Sequence, residues 1–116
     1  MDSNVRRLYR VAERFPPGQR EYRSMQEAGK APPADASAEM LRSWTAISGW
    51  ATAQLAHSAA RRKTSAKCIV RYDIPVDSGI LIEESLRPGH FDIFSTFDQL
   101  HPYLAPDFKE EVVKEG

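Results

Sequence analysis

Residues 37–63 read SAEMLRSWTAISGWATAQLAHSAARRK, and the conformation of this stretch decides the fold. Ser37 is suited to cap a helix N-terminus, and Met40, Trp44, Ile47, Ala51, Leu55 and Ala59 follow it in three- and four-residue steps. That spacing predicts one long helix ending at Arg61, Arg62 and Lys63, whose charge suits the negative pole of the helix dipole. Gly49 is the weak link, because a glycine inside a helix costs about 1 kcal/mol relative to alanine. A break there allows residues 44–48 to form a strand instead.

The same ambiguity recurs upstream. Val5, Leu8, Ala12 and Phe15 recur at helical spacing, while Leu8, Tyr9, Arg10 and Val11 also suit a short strand; Pro16, Pro17 and Gly18 end either element. Residues 19–29 read as a short helix with Tyr22 and Met25 on one face and Gly29 as its C-terminal cap, and residues 31–36, with Pro32 and Pro33, as a loop. The second half is clearer. Cys68, Val70, Tyr72 and Ile74 alternate with Ile69, Arg71 and Asp73, the period of a strand closed by Pro75. Residues 80–84 and 90–95 give two more strands, and Arg87-Pro88-Gly89-His90 carries Pro and Gly where a type II turn needs them, so the two form a hairpin. Residues 98–104 read as a helical turn, and Asp107 with Glu110 resembles a capping box ahead of Val112 and Val113. The predicted class is α+β, with N-terminal helices packed on a small, mostly antiparallel sheet.

At 116 residues and 41% hydrophobic, the chain has the size of one domain. Its net charge of zero hides a dipole: residues 1–71 hold 13 Lys and Arg against 6 Asp and Glu, and residues 72–116 hold 3 against 10. Such a basic region attracts phosphates, whether of a nucleotide, a nucleic acid or a partner's acidic face. The lone Cys68 excludes an intrachain disulfide framework, and the polar, basic N-terminus lacks the apolar run of a signal peptide, so a reducing cytosol is expected. No apolar stretch approaches the roughly 20 residues that span a bilayer, and no membrane partner is expected.

Most catalytic motifs are missing. His57, His90 and His101 lack ligand spacing, and although His90 and Asp92 share a strand face, no metal site is expected. Ser48 lacks the flanking glycines of a nucleophile elbow, and Cys68 falls on an apolar strand face where a thiol is inert. The six glycines never cluster as a phosphate loop requires. Arg6, Arg7, Arg10, Arg14, Arg20 and Arg23, with Arg61, Arg62, Lys63 and Lys67, leave nucleic acid in view as a partner. Sparse aromatics, the absence of a known binding signature and the acidic C-terminal region weigh against it.

Three polar residues stand within apolar segments: Arg10 in Leu8-Tyr9-Arg10-Val11, Ser48 in Trp44-Thr45-Ala46-Ile47-Ser48, and His90 in Pro88-Gly89-His90-Phe91. In order and surroundings the chain resembles small bacterial, toxin-associated ADP-ribosyltransferase-like domains. In that family an early strand carries Arg or His, a short helix and loop lead to a second strand with Ser or Tyr, and an Ala-rich helix precedes further strands. The resemblance implies that residues 51–62 form that helix and residues 67–75 the next strand. It also implies that Arg10, Ser48 and His90 bind NAD, with Arg10 on the ribose or diphosphate and Ser48 on the nicotinamide side. ADP-ribose then passes to a macromolecular acceptor, and a carboxylate, here Glu83 or Glu84, stabilises the developing cation. The family pattern is glutamate-any-glutamate, whereas Glu83 and Glu84 are adjacent and point to opposite faces of a strand. The rival function is a non-enzymatic adaptor or immunity-type module that binds a protein partner; exposed indoles at Trp44 and Trp50 favour it, and buried ones make core. Oligomeric state is open on either account.

Overall fold

The helix that starts at Ser37 stops at Ser43. The computed structural model describes residues 4–112, and in it helix α1 (Ala38–Ser43) is capped by the Ser37 hydroxyl, which accepts the Met40 amide. Thr45 turns back to donate its hydroxyl to the Arg42 carbonyl, a local alternative to continuing the helix. A strand, β2 (Ile47–Trp50), and a second helix, α2 (Ala53–Ala60), follow, so the single long helix is replaced by helix, strand and helix. The strand begins at Ile47, and residues 44–46 form the turn into it. Thr52 caps α2 by accepting the Leu55 amide.

The remaining elements are β1 (Val5–Ala12), β3 (Cys68–Pro75), β4 (Leu81–Glu84), β5 (His90–Phe94), α3 (Phe97–Leu100) and β6 (Leu104–Glu111), with 3-10 turns at Gln19–Tyr22 and His101–Tyr103. All six strands join one antiparallel sheet in the order β4-β5-β2-β1-β3-β6. The class is therefore α+β, and the expected N-terminal helices give way to a strand and irregular turns. Residues 25–29 make turns ending at Gly29, whose φ of 79° is left-handed, instead of extending the helix expected from residue 19. Asp107 and Glu110 lie within β6, so they cap no helix; Val112 follows the strand, and Val113 lies outside the described residues.

Chain parity explains why β1 is a strand. Leu8 and Ala12 enter one core with Ile47, Val70, Tyr72, Ile74 and Ile93, while Tyr9 and Val11 pack on the opposite face beneath α2, with Trp50, Ala56, Ala60 and Ile69. A strand in the middle of a sheet covered on both sides needs apolar residues at both parities, and that makes its sequence resemble a helix. The β4–β5 hairpin forms as expected: the His90 amide donates to the Arg87 carbonyl at 3.1 Å, and Gly89 has φ 76°, as the third position of a type II turn requires.

Gly49, the weak link of the helical reading, serves the sheet. A Cβ there would lie 2.8 Å from Ile93 Cδ1 and 3.4 Å from Leu8 Cδ1, so β2 sits too close to its core neighbours for a side chain. Gly49→Ala is expected to lower the unfolding free energy by about 1–3 kcal/mol in urea denaturation, the usual cost of overpacking a core.

Candidate functional site

The sheet is held at its centre by a single residue pair, Tyr9 with Trp50. Beyond it, Arg10, Val11 and Ala12 ladder only with β3, while Ile47, Ser48 and Gly49 ladder only with β5, so the sheet parts along a seam. Arg10 bridges that seam. Only 9% exposed, it donates from Nε to the Ser48 carbonyl at 2.7 Å and from Nη2 to the Glu21 carbonyl at 3.0 Å, with its guanidinium 5.6 Å from the centre of the Tyr22 ring. Tyr72 donates its hydroxyl to that of Tyr22 at 2.7 Å; burial pushes the Tyr22 phenol well above its ordinary range and raises that of Tyr72, so both stay neutral beneath the cation.

Three adjoining cavities of about 280, 310 and 280 Å³ open along the seam and share Ser48 and Met25, making one cleft. Ser48 is the exposed residue of an otherwise buried strand and stands in the cleft floor. One wall is the end of α2 with Arg62 and Lys63. The other is the loop carrying Met25 and Lys30, fixed by the Trp44 indole N–H to the Lys30 carbonyl at 2.7 Å and by the Gln26 amide to the Trp44 carbonyl at 3.1 Å. Arg87 reaches in from the hairpin turn, its guanidinium 5.5 Å from the Trp50 ring. Desolvation in the cleft wall, together with Arg10, Lys30, Arg62 and Arg87, holds the Lys63 amine below the ordinary lysine range. The clustered cations give this half of the cleft a positive field.

The other half is lined by Trp44, Met40, Ser43, His90 and Asp92. Asp92 is directly opposite Ser48 in the β2–β5 ladder, so both project from the same face, and it accepts the Ser43 hydroxyl. His90 Nδ1 meets the Ser85 hydroxyl at 2.7 Å, the ring packs edge-on against Trp50 at 4.6 Å, and Nε2 is buried with no hydrogen-bond partner among the described residues. Burial, then Arg87 and Lys63, hold this imidazole below its ordinary value, against the opposing pull of Asp92, and the neutral ring is the native form.

The folded chain binds fewer protons at His90 than the unfolded chain does, so this contribution to stability is whole above about pH 6.5 and is lost progressively as pH falls below it. His90→Gln is expected to flatten the acid limb of the stability profile, measured by urea denaturation between pH 7.5 and 5.

No family model, curated protein or solved structure matches this chain.

Of the residues that the sequence marked out, Arg10 and Ser48 meet directly at the seam and His90 lines the same cleft. Neither Glu83 nor Glu84 lines the cleft, although Glu83 is directly opposite Asp92 in the β4–β5 ladder and so projects from the same face. Both are on β4, the edge strand, with β5 between it and β2; Glu83 is held by Arg42 in a two-pronged ion pair at 2.9 Å, and Glu84 is exposed beside the hairpin turn. His57 pairs with Glu110 and His101 stacks on Phe97, both away from His90. Sequence reasoning missed Lys63, Arg62 and Arg87 as cleft residues, because a basic helix end already has an explanation in the dipole. The sequence also placed His90 and Asp92 on one strand face but gave Asp92 no role beyond a dismissed metal pair; in the structure both are buried, at 6% and 7% exposure.

Proposed function

We propose that the chain binds NAD in this cleft and acts as an ADP-ribosyltransferase-like protein, passing ADP-ribose to a macromolecular acceptor. The observation that carries the reading is the convergence of Arg62, Lys63 and Arg87 beside the exposed Ser48 hydroxyl, at a seam bridged by Arg10. The strand order in sequence supports it too: Arg10 on the first strand, Ser48 on the second and the Ala-rich α2 before the third follow the order that the resemblance implies. Neither indole gives the exposed patch that favours an interaction module, for Trp50 is buried and Trp44 is half-buried with its N–H committed.

In this reading Lys63, Arg62 and Arg87 hold the diphosphate, since ammonium and guanidinium groups give charge-assisted bonds to phosphate oxygens. Arg10 acts behind them, as the bridge that sets Ser48 and adds positive field. The half with Trp44, Met40 and Ser48 takes the flat nicotinamide amide. NAD supplies a ribose C1′ whose bond to the nicotinamide nitrogen breaks with the electron pair leaving on nicotinamide, while the acceptor bonds to C1′ and gives its proton to water. The carboxylate facing that carbon is Asp92 rather than Glu83 or Glu84, because Asp92 lines the cleft and its Oδ2 is steadied by Ser43. Nicotinamide release from NAD tests the reading: wild type is expected to release it, and Asp92→Asn to do so about 100-fold more slowly, as when one electrostatic stabiliser of a transition state is lost. Equal rates in Asp92→Asn, with release abolished by Glu83→Gln, would return the role to β4.

A further inference from the structure

We infer that the acceptor is a single-stranded polynucleotide, held along an extension of the cleft by Arg20, Arg23 and Lys30. The acceptor role rests on the NAD reading above; the binding of the strand does not. Beyond the residues assigned to the diphosphate, the cavity at the open end of the seam is lined by Arg20, Arg23 and Lys30, with the Ser24 and Ser65 side chains between them. Two carboxylates share this cavity. Glu21 is consumed there, accepting the Glu13 and Gly18 amides and the Arg14 guanidinium, and Glu13 is exposed at the rim. Among the described residues, none of Arg20, Arg23, Lys30, Arg62 and Arg87 has a carboxylate within ion-pair distance.

Several carboxylates of the acidic half are engaged away from this cavity: Asp73 by Arg7 and Arg71, Glu83 by Arg42 and Glu111 by Lys109, while Glu110 meets the His57 ring. The zero net charge therefore hides a positive trough. NAD does not fill that trough, because its diphosphate charge is partly offset by its cationic nicotinamide ring. A phosphodiester chain does.

A second feature separates a nucleic acid from an acidic protein segment. Arg20 and Arg23 also line a neighbouring cavity of about 400 Å³ with Tyr22, Glu27 and Phe97, and outside that lining the exposed His101 is stacked on the Phe97 ring at 4.5 Å and 14°. Cations that track a backbone beside a flat ring pair on which bases stack form the usual platform for single strands. The trough itself offers Met25 and Ala28 but no aromatic pocket of the kind that anchors a protein partner.

Fluorescence anisotropy with labelled 12-nucleotide single-stranded DNA and RNA of mixed sequence, alongside a poly-glutamate peptide of equal length, tests the inference across salt concentrations. Wild type is expected to bind an oligonucleotide with log K falling against log salt at a slope near −2, about 0.7 for each of three phosphates neutralised. Arg20→Gln with Arg23→Gln should weaken this binding roughly 10–30-fold at 0.1 M salt and cut the slope to about −0.7. NAD binding by calorimetry should not change. His101→Ala should weaken oligonucleotide binding several-fold without altering the slope. DNA against RNA preference identifies the strand. Equal or tighter binding of poly-glutamate, or oligonucleotide binding indifferent to the double substitution, would overturn the inference. Strand binding without any NAD binding would overturn the function proposed above and, with it, the acceptor role.

Discussion

Replacing Arg10 with Met is expected to lower the unfolding free energy by about 3–5 kcal/mol. Its two hydrogen bonds go from a buried cation to the Ser48 and Glu21 carbonyls, and a bond to a charged group is worth about 1.5–3 kcal/mol. Methionine keeps much of the volume but leaves both carbonyls without that donor and removes the charge lying over Tyr22. Since the β1–β2 ladder has one residue pair, little else ties the two halves of the sheet on this side of the core. Arg10→Lys should recover only part of the loss, because one ammonium cannot span two carbonyls as the planar fork does. Urea denaturation of the three proteins measures this. A cost below about 1 kcal/mol for the Met variant would mean that Arg10 is not the bridge described.

The second large effect concerns ligand binding. Lys63→Gln is expected to weaken NAD binding at least tenfold, and Lys63→Gln with Arg87→Gln on the order of 100-fold or more, taking about 1.5–3 kcal/mol for each charge-assisted phosphate contact. Both residues are exposed by area and neither belongs to a core cluster, so the fold should survive these changes. The remaining affinity should depend less on salt than that of the wild type, since fewer charges are left to screen. Calorimetry at 50 and 300 mM salt separates this outcome from a general loss of structure, which would instead shift the urea midpoint.

Much of the second half of the fold was legible in the sequence because β3 alternates from Val70 onward, where one face is covered and Arg71 and Asp73 occupy the other, and because Pro88-Gly89 marks the hairpin turn. The first half misled for a physical reason. β1 is central and covered on both faces, so Leu8, Tyr9, Val11 and Ala12 are all useful apolar residues, and two parities of burial imitate a helical stripe. In residues 37–63 the apolar steps were real but belonged to three elements in turn, and only Gly49 and Thr45 hinted at the breaks. β6 carries exposed charge along most of its length, as edge strands do, and so resembled a capped helix start. At the site, Arg10 and Ser48 were visible as polar intruders in apolar runs. Lys63, about 15 residues beyond Ser48, and Arg87, about 39 beyond it, are brought to the cleft by the packing of α2 and the hairpin and could not be joined to Arg10 and Ser48 by spacing alone.

The most direct test of the account is calorimetric titration of the wild-type chain with NAD, compared with the Lys63→Gln, Arg87→Gln protein. The account predicts saturable binding to the wild type below millimolar NAD and none detectable in that range for the double variant. Absence of heat with the wild type at millimolar NAD, or equal binding by both proteins, would contradict the assignment of the seam cleft as a dinucleotide site.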